Sequence, residues 1–171
     1  MARLLLPLVL VLLLALLPAS TTSAELTYRL SVPMVAYDPT TIEEELFNAH
    51  NRERVANSLA PMAWSPDLAL IAQEDAVRNM QRGYLEHDGL YTQQVTLLYP
   101  NTVLLGENLG VGGPLLYNEY VYLASRFMVF WMNSSSHRDN ILYPTYDVVG
   151  IGSAIDSAGG VWVAVIFVDV P

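Results

Sequence analysis

The chain has 171 residues, no cysteine and a formal net charge of −9. Disulfide bridges, thiolate metal ligands and a cysteine nucleophile are therefore excluded. All 8 basic residues are arginine, which excludes lysine Schiff-base chemistry. An acidic chain with no basic run is also a poor partner for nucleic acid.

The first residues read as an export signal. Met1-Ala2-Arg3 supplies a positive charge, Leu4 to Leu17 an apolar run, and Pro18 to Ala24 small residues for cleavage. The run is about 14 residues, short of the roughly 20 that span a bilayer. The expected organisation is a signal peptide over 1–24, a lead-in segment over 25–40 and one domain over 41–171. Secretion with no membrane span after cleavage is the expectation, with an uncleaved anchor as the alternative. About 147 residues then remain, a usual length for one domain.

Thr41 and Glu44 have capping-box spacing, and Glu43, Glu44 and Glu45 suit the positive end of a helix. A helix is predicted from there to about Ala56 or Asn57. Ser65-Pro66 starts a second, with Leu68, Ala72, Ala76 and Met80 on one face and Gly83 as its stop. His87 follows on the loop. A short helix is expected around Thr92 to Leu98. Val103-Leu104-Leu105 reads as a strand entering Gly106-Glu107-Asn108, with Glu107 at a turn. Gly110, Gly112 and Gly113 read as an irregular loop. Pro114 to Met132 is predicted as an aromatic-rich helix whose aromatics pack in the core, with an apolar ligand groove as the alternative. The polar segment Asn133 to Asn140 carries His137 on a loop. Val148–Ile155 and Val161–Val168 flank Asp156 to Gly160 as a β-hairpin. Their near-continuous apolar runs suggest that both sheet faces are covered. Helices first and a hairpin last give an α+β class, with helices packed on a small antiparallel sheet.

Two histidines sit in polar segments, Glu86-His87-Asp88 and Ser136-His137-Arg138, with Glu107 between them. Two imidazoles and a carboxylate from separate segments can converge on a metal or a polar ligand. Asn108, Arg138 and Asn140 are the expected supports around them. Asn51 and Arg54 are expected to tie the first helix to loops. His50 is expected to pack beside the cleft. No Gly-x-Ser-x-Gly elbow accompanies Ser134, Ser135 and Ser136, which argues against a serine hydrolase.

Asn51-x-x-Arg54, Ala63-Trp64-Ser65-Pro66-Asp67-Leu68, Glu86-His87, Gly106-Glu107-Asn108-Leu109, Trp131-x-Asn133-Ser134, His137-Arg138-x-Asn140-Ile141-Leu142 and Val149-Gly150-Ile151-Gly152 come in this order. Together, across about 41–168, they resemble the CAP superfamily of cysteine-rich secretory, antigen 5 and pathogenesis-related proteins, in its cysteine-free bacterial branch. The resemblance implies an α-β-α sandwich with a polar cleft. In animal and plant members that cleft holds two histidines and two acids, and metal binding is reported for some. His87, Glu107 and His137 match three of the four. The second acid, three positions after the tryptophan, is replaced by Ser134.

The resemblance implies either an exported binding module or a metal-dependent hydrolase with Glu107 as base, and the reading leans away from an enzyme. A module would take a small molecule, a lipid, a peptide or a wall fragment. His87, His137 and Glu107 are the candidate ligands for Zn2+ or another divalent metal; the alternative is a metal-free polar cluster. A surface adhesion protein with a vestigial cleft is the third reading.

Overall fold

The structure is a computed structural model that describes residues 41–114 and 119–170. The expected signal peptide and lead-in lie outside the described residues, as does the stretch 115–118.

Helix α1 spans Ile42–Ala56, and the Thr41 hydroxyl accepts from the Glu44 N–H at its start. A two-residue strand β1, Ala63–Trp64, leads into α2, Pro66–Arg82. Ser65 caps α2 by accepting from the Leu68 N–H, and Gly83 ends it with φ 79, a left-handed conformation that glycine adopts without strain. Short α3, Tyr91–Leu98, precedes β2, Leu105–Gly112. Helices α4, Tyr120–Asn133, and α5, Ser135–Ile141, follow. Strands β3, Val148–Ile155, and β4, Val161–Val168, form the closing hairpin over the expected residues.

The sheet order is β1-β3-β4-β2. The hairpin and β2 pair antiparallel, while β1 adds a short parallel pairing to β3 that the sequence pattern did not announce. Strand β4 is buried along its whole length because successive side chains enter different layers. Val161, Val163, Val165 and Phe167 pack with Leu46, Phe127 and Trp131 from α1 and α4. Trp162, Ala164, Ile166 and Val168 pack with Leu68, Ala72 and Ala76 of α2. Two helical layers on one sheet make the expected α-β-α sandwich.

Helix α2 lies hard against β3. A methyl group at Gly152 would stand 2.1 Å from the Gln73 nitrogen, and one at Gly150 2.3 Å from the Leu68 carbonyl carbon. On the other face, Arg54 ties α1 to the chain before β3. Its guanidinium donates to the carbonyls of Ala60, Ile141, Tyr143 and Tyr146. Asn51 exchanges two hydrogen bonds with the backbone of Met62. Both residues therefore do the bracing expected of them.

Two local expectations are corrected. Gly106 to Gly112 form an edge strand, not a turn and a loop. Their glycines give clearance: a methyl at Gly106 would meet the Tyr146 hydroxyl at 2.8 Å, and one at Gly110 the Phe127 ring at 2.7 Å. The segment around His137 is the short helix α5, not a loop, with the Arg138 N–H bonded to the Ser134 carbonyl.

Candidate functional site

The edge strand β2 brings the two layers together. Its alternation sends Glu107 and Leu109 toward α2, and Gly106, Asn108 and Gly110 toward α4 and α5. Three elements thus carry the expected trio: His87 a loop, Glu107 a strand and His137 a helix.

The loop bearing His87 is pinned on both sides. Asn79, buried on α2, accepts from the Glu86 N–H at 2.7 Å. Asp88 receives Arg82 at 2.8 Å and accepts from the Leu90 N–H at 3.0 Å. Held between these anchors, the His87 Nδ1 meets Glu107 Oε2 at 2.5 Å. The imidazole is 58% exposed, whereas the Glu107 side chain is 2% exposed. The pair therefore runs from solvent to the buried floor.

Helix α5 is stitched to β2 by amides. Asn108 donates to the His137 carbonyl at 3.0 Å. Asn140 donates to the Glu107 carbonyl at 3.1 Å and to Asn108 Oδ1 at 2.9 Å. Asn108 and Asn140 thus join α5 to β2. Arg138 is exposed and makes one 3.4 Å bond to the Met132 carbonyl, so it steadies the α4–α5 junction from outside. His137 Nδ1 bonds the Ser134 hydroxyl at 2.8 Å. Burial, and then the charge of nearby His87, hold the His137 imidazole below its ordinary range.

His50 belongs to the core. It is fully buried, bonds the Leu46 carbonyl through Nδ1 and packs on Trp131 and Phe167. Burial, opposed by the Leu46 bond and helped by the charge of Arg54, pushes it from 6.5 down to about 4.

The sequence reading missed Asp75. It lies on the buried face of α2 with Leu68, Ala72, Ala76 and Asn79, and is 1% exposed. Arg78 pairs with its Oδ1 at 2.6 Å. Burial, and then Asp75, push Glu107 from 4.5 up to about 9. The signal was present: an acid at helical spacing on the face that carries Leu68, Ala72 and Ala76.

Among the described residues no three His, Cys, Asp or Glu side chains are grouped so as to hold a metal ion. His87 bonds Glu107 through Nδ1, and His137 bonds Ser134 through Nδ1.

Beside this polar floor lies an apolar pocket of about 250 Å³ between β2 and α4. Leu85, Val111, Leu123, Phe127 and Phe130 line it, with Arg126 at its margin. The Phe130 ring also lies 5.8 Å from the His137 ring, centre to centre, so pocket and floor adjoin.

The protein is thus an α-β-α sandwich with a histidine–carboxyl cluster at its edge strand. Residues 47–168 match the family model described as CAP, the cysteine-rich secretory protein family. The chain belongs to that family. No curated protein matches it in sequence. Among solved structures, an outer surface protein from Borrelia burgdorferi is similar with a TM-score of 0.63 and 17% identity, over 77% of this chain and 97% of that one. An extracellular protein containing an SCP domain from Bacillus anthracis gives 0.57 and 20%, over 75% of this chain and 40% of that one. NaASP2, solved with Zn2+, gives 0.56 and 12%, over 74% and 78%. These likenesses establish the fold. No described helix is long and apolar enough to cross a membrane.

Proposed function

We propose that this chain is an exported CAP-domain binding module that takes a small amphipathic ligand. The head of the ligand sits on His87 and His137, and its apolar part enters the pocket between β2 and α4. The observation that carries this reading is the junction at Phe130, whose ring borders both the pocket and His137. Apolar walls with a few convergent polar groups are the usual make-up of a small-molecule site. Export rests on the signal-like residues 1–24. In this reading Glu107 holds His87 rather than acting on water, which its burial and its bond to His87 support.

Fluorescence titration with N-phenylnaphthylamine tests the reading. That probe joins two aryl groups through one N–H and brightens in apolar surroundings. Saturable one-to-one binding is expected. Val111→Asp and Phe130→Asp, both at exposed positions, should each weaken it about tenfold or more, the cost of placing a charge in an apolar contact. Absence of saturable binding, or binding indifferent to both variants, sinks the reading.

A further inference from the structure

Strand β2 ends the sheet, so one of its two edges faces no strand. In an antiparallel pair, alternate residues turn their backbone N–H and carbonyl toward the partner strand, and the others turn them away. The Asp169 N–H bonds the Leu104 carbonyl at 3.4 Å, and these two residues continue the register of Leu105 opposite Val168. Leu104 therefore faces β4, as do Gly106, Asn108, Gly110 and Gly112 in their turn. Leu105, Glu107, Leu109 and Val111 direct their backbone groups outward.

Side chains cap part of this outer edge. Asn140 donates to the Glu107 carbonyl at 3.1 Å, and the Trp131 indole N–H to the Leu109 carbonyl at 2.9 Å. The capping stops there. Among the described residues nothing bonds the outward N–H or carbonyl of Val111, which is 48% exposed. This open residue lies in the apolar pocket of about 250 Å³, with Gly110 and Gly112 on either side and Leu123, Phe127 and Phe130 of α4 as the wall.

We propose that this pocket takes a short extended peptide segment, which pairs with Val111 as an added strand. The central residue of the segment donates its N–H to the Val111 carbonyl and accepts the Val111 N–H, the exchange that a bonded antiparallel pair makes. Its side chain falls on the Val111 side of the sheet. The residues before and after it point the other way, the way Gly110 and Gly112 face. There α4 stands so close that a methyl at Gly112 would meet Leu123 and Phe127 at 3.2 Å. The two flanking side chains are therefore the ones that meet the α4 wall, and apolar residues suit them. The recognised pattern is apolar–any–apolar in an extended chain. A folded sheet edge, such as that of a second copy, does not fit a slot walled by α4 and open over one residue, whereas a single chain does. No acid lines the pocket and Arg126 stands at its margin, so a neutral or acidic segment is favoured over a basic one. This assignment rests on the ligand reading above and names its ligand class. It adds a two-way backbone contact that N-phenylnaphthylamine, with no carbonyl, does not make.

N-acetyl-Leu-Val-Leu-amide is the probe, and the same tripeptide with an ester oxygen in place of the valine N–H is its control. Both are titrated into the nitrogen-15-labelled protein. With the peptide at saturation, the Val111 N–H should exchange with deuterium more slowly than in the free protein. The ester should bind about threefold or more weakly, the loss of one hydrogen bond. Val111→Pro removes the outward N–H, a change that an edge strand tolerates, and should weaken the peptide by a similar factor. Unchanged Val111 exchange at saturation, an ester that binds as well as the peptide, or full peptide affinity in Val111→Pro overturns the proposal. Should that variant not fold, the peptide and ester on the wild type decide alone. Saturable N-phenylnaphthylamine binding without peptide binding overturns this inference and leaves the ligand reading standing. Loss of both overturns the two together.

Discussion

The hydroxyl of Ser134 stands 2.8 Å from His137 Nδ1, at the position where the family resemblance implies an acid. A neutral hydroxyl can orient an imidazole without stabilising its charge. That leaves burial, and then His87, to hold the His137 imidazole below its ordinary range. Ser134→Glu would restore an ionised partner. It is expected to raise the His137 midpoint by about one to three units, as an adjacent opposite charge does. Ser134→Ala should leave it low. Proton NMR titration of the imidazole checks both. An unmoved midpoint in Ser134→Glu would show that position 134 does not govern this histidine.

Stability against pH should carry two opposing signatures. His50 has a folded pKa depressed from 6.5 to about 4, so the unfolded chain binds more protons in that window and stability rises with pH across it. Glu107 has a folded pKa raised from 4.5 to about 9, so stability falls with pH across that window. A full proton is worth about 1.4 kcal/mol per pH unit. The two slopes oppose each other between 4.5 and 6.5, and Glu107 acts alone from there to about 9. Urea denaturation should therefore give a nearly level profile and then a decline. The carboxyls of Asp88, Asp156 and Asp169, all held below 3.8, act at lower pH. Glu107→Gln should abolish the decline above 6.5, and His50→Gln should extend it down to 4.5. A wild type that gains stability above 6.5 contradicts this account.

Arg54 should be among the costliest side chains to truncate. It is 1% exposed and satisfies four carbonyls that no other described side chain reaches. Arg54→Ala would strand those acceptors, and a loss of about 3–5 kcal/mol is expected. Arg54→Lys should recover little, because a compact ammonium cannot reproduce the planar fork. Denaturation midpoints measure both. A loss under about 1 kcal/mol in Arg54→Ala would deny the residue its bracing role.

What could be read from the sequence was set by neighbours in the chain. The caps at Thr41, Ser65 and Gly83 and the hairpin over 148–168 depend on adjacent residues and were legible. The alternate burial of β4 was legible too, because an unbroken apolar run needs cover on both faces. Glu107 was placed at a turn because its glycines look like turn residues. Their purpose is clearance for Tyr146, Phe127 and Trp131, which come from distant segments. The trio of His87, Glu107 and His137 was found by its polar surroundings. Asp75 was not, because a single acid in a helix stripe acquires meaning only when β2 arrives opposite it.

The central claim is that one cleft, formed by the polar floor and the pocket beside it, receives the ligand. Backbone-amide shift mapping during titration with N-phenylnaphthylamine tests it most directly. Shifts are expected at Leu85 to Asp88, at Gly110 to Gly112, and at Phe127, Phe130 and His137. Shifts gathered instead on the opposite exposed face, at Leu70 and Leu97, or no shifts at all, would contradict it.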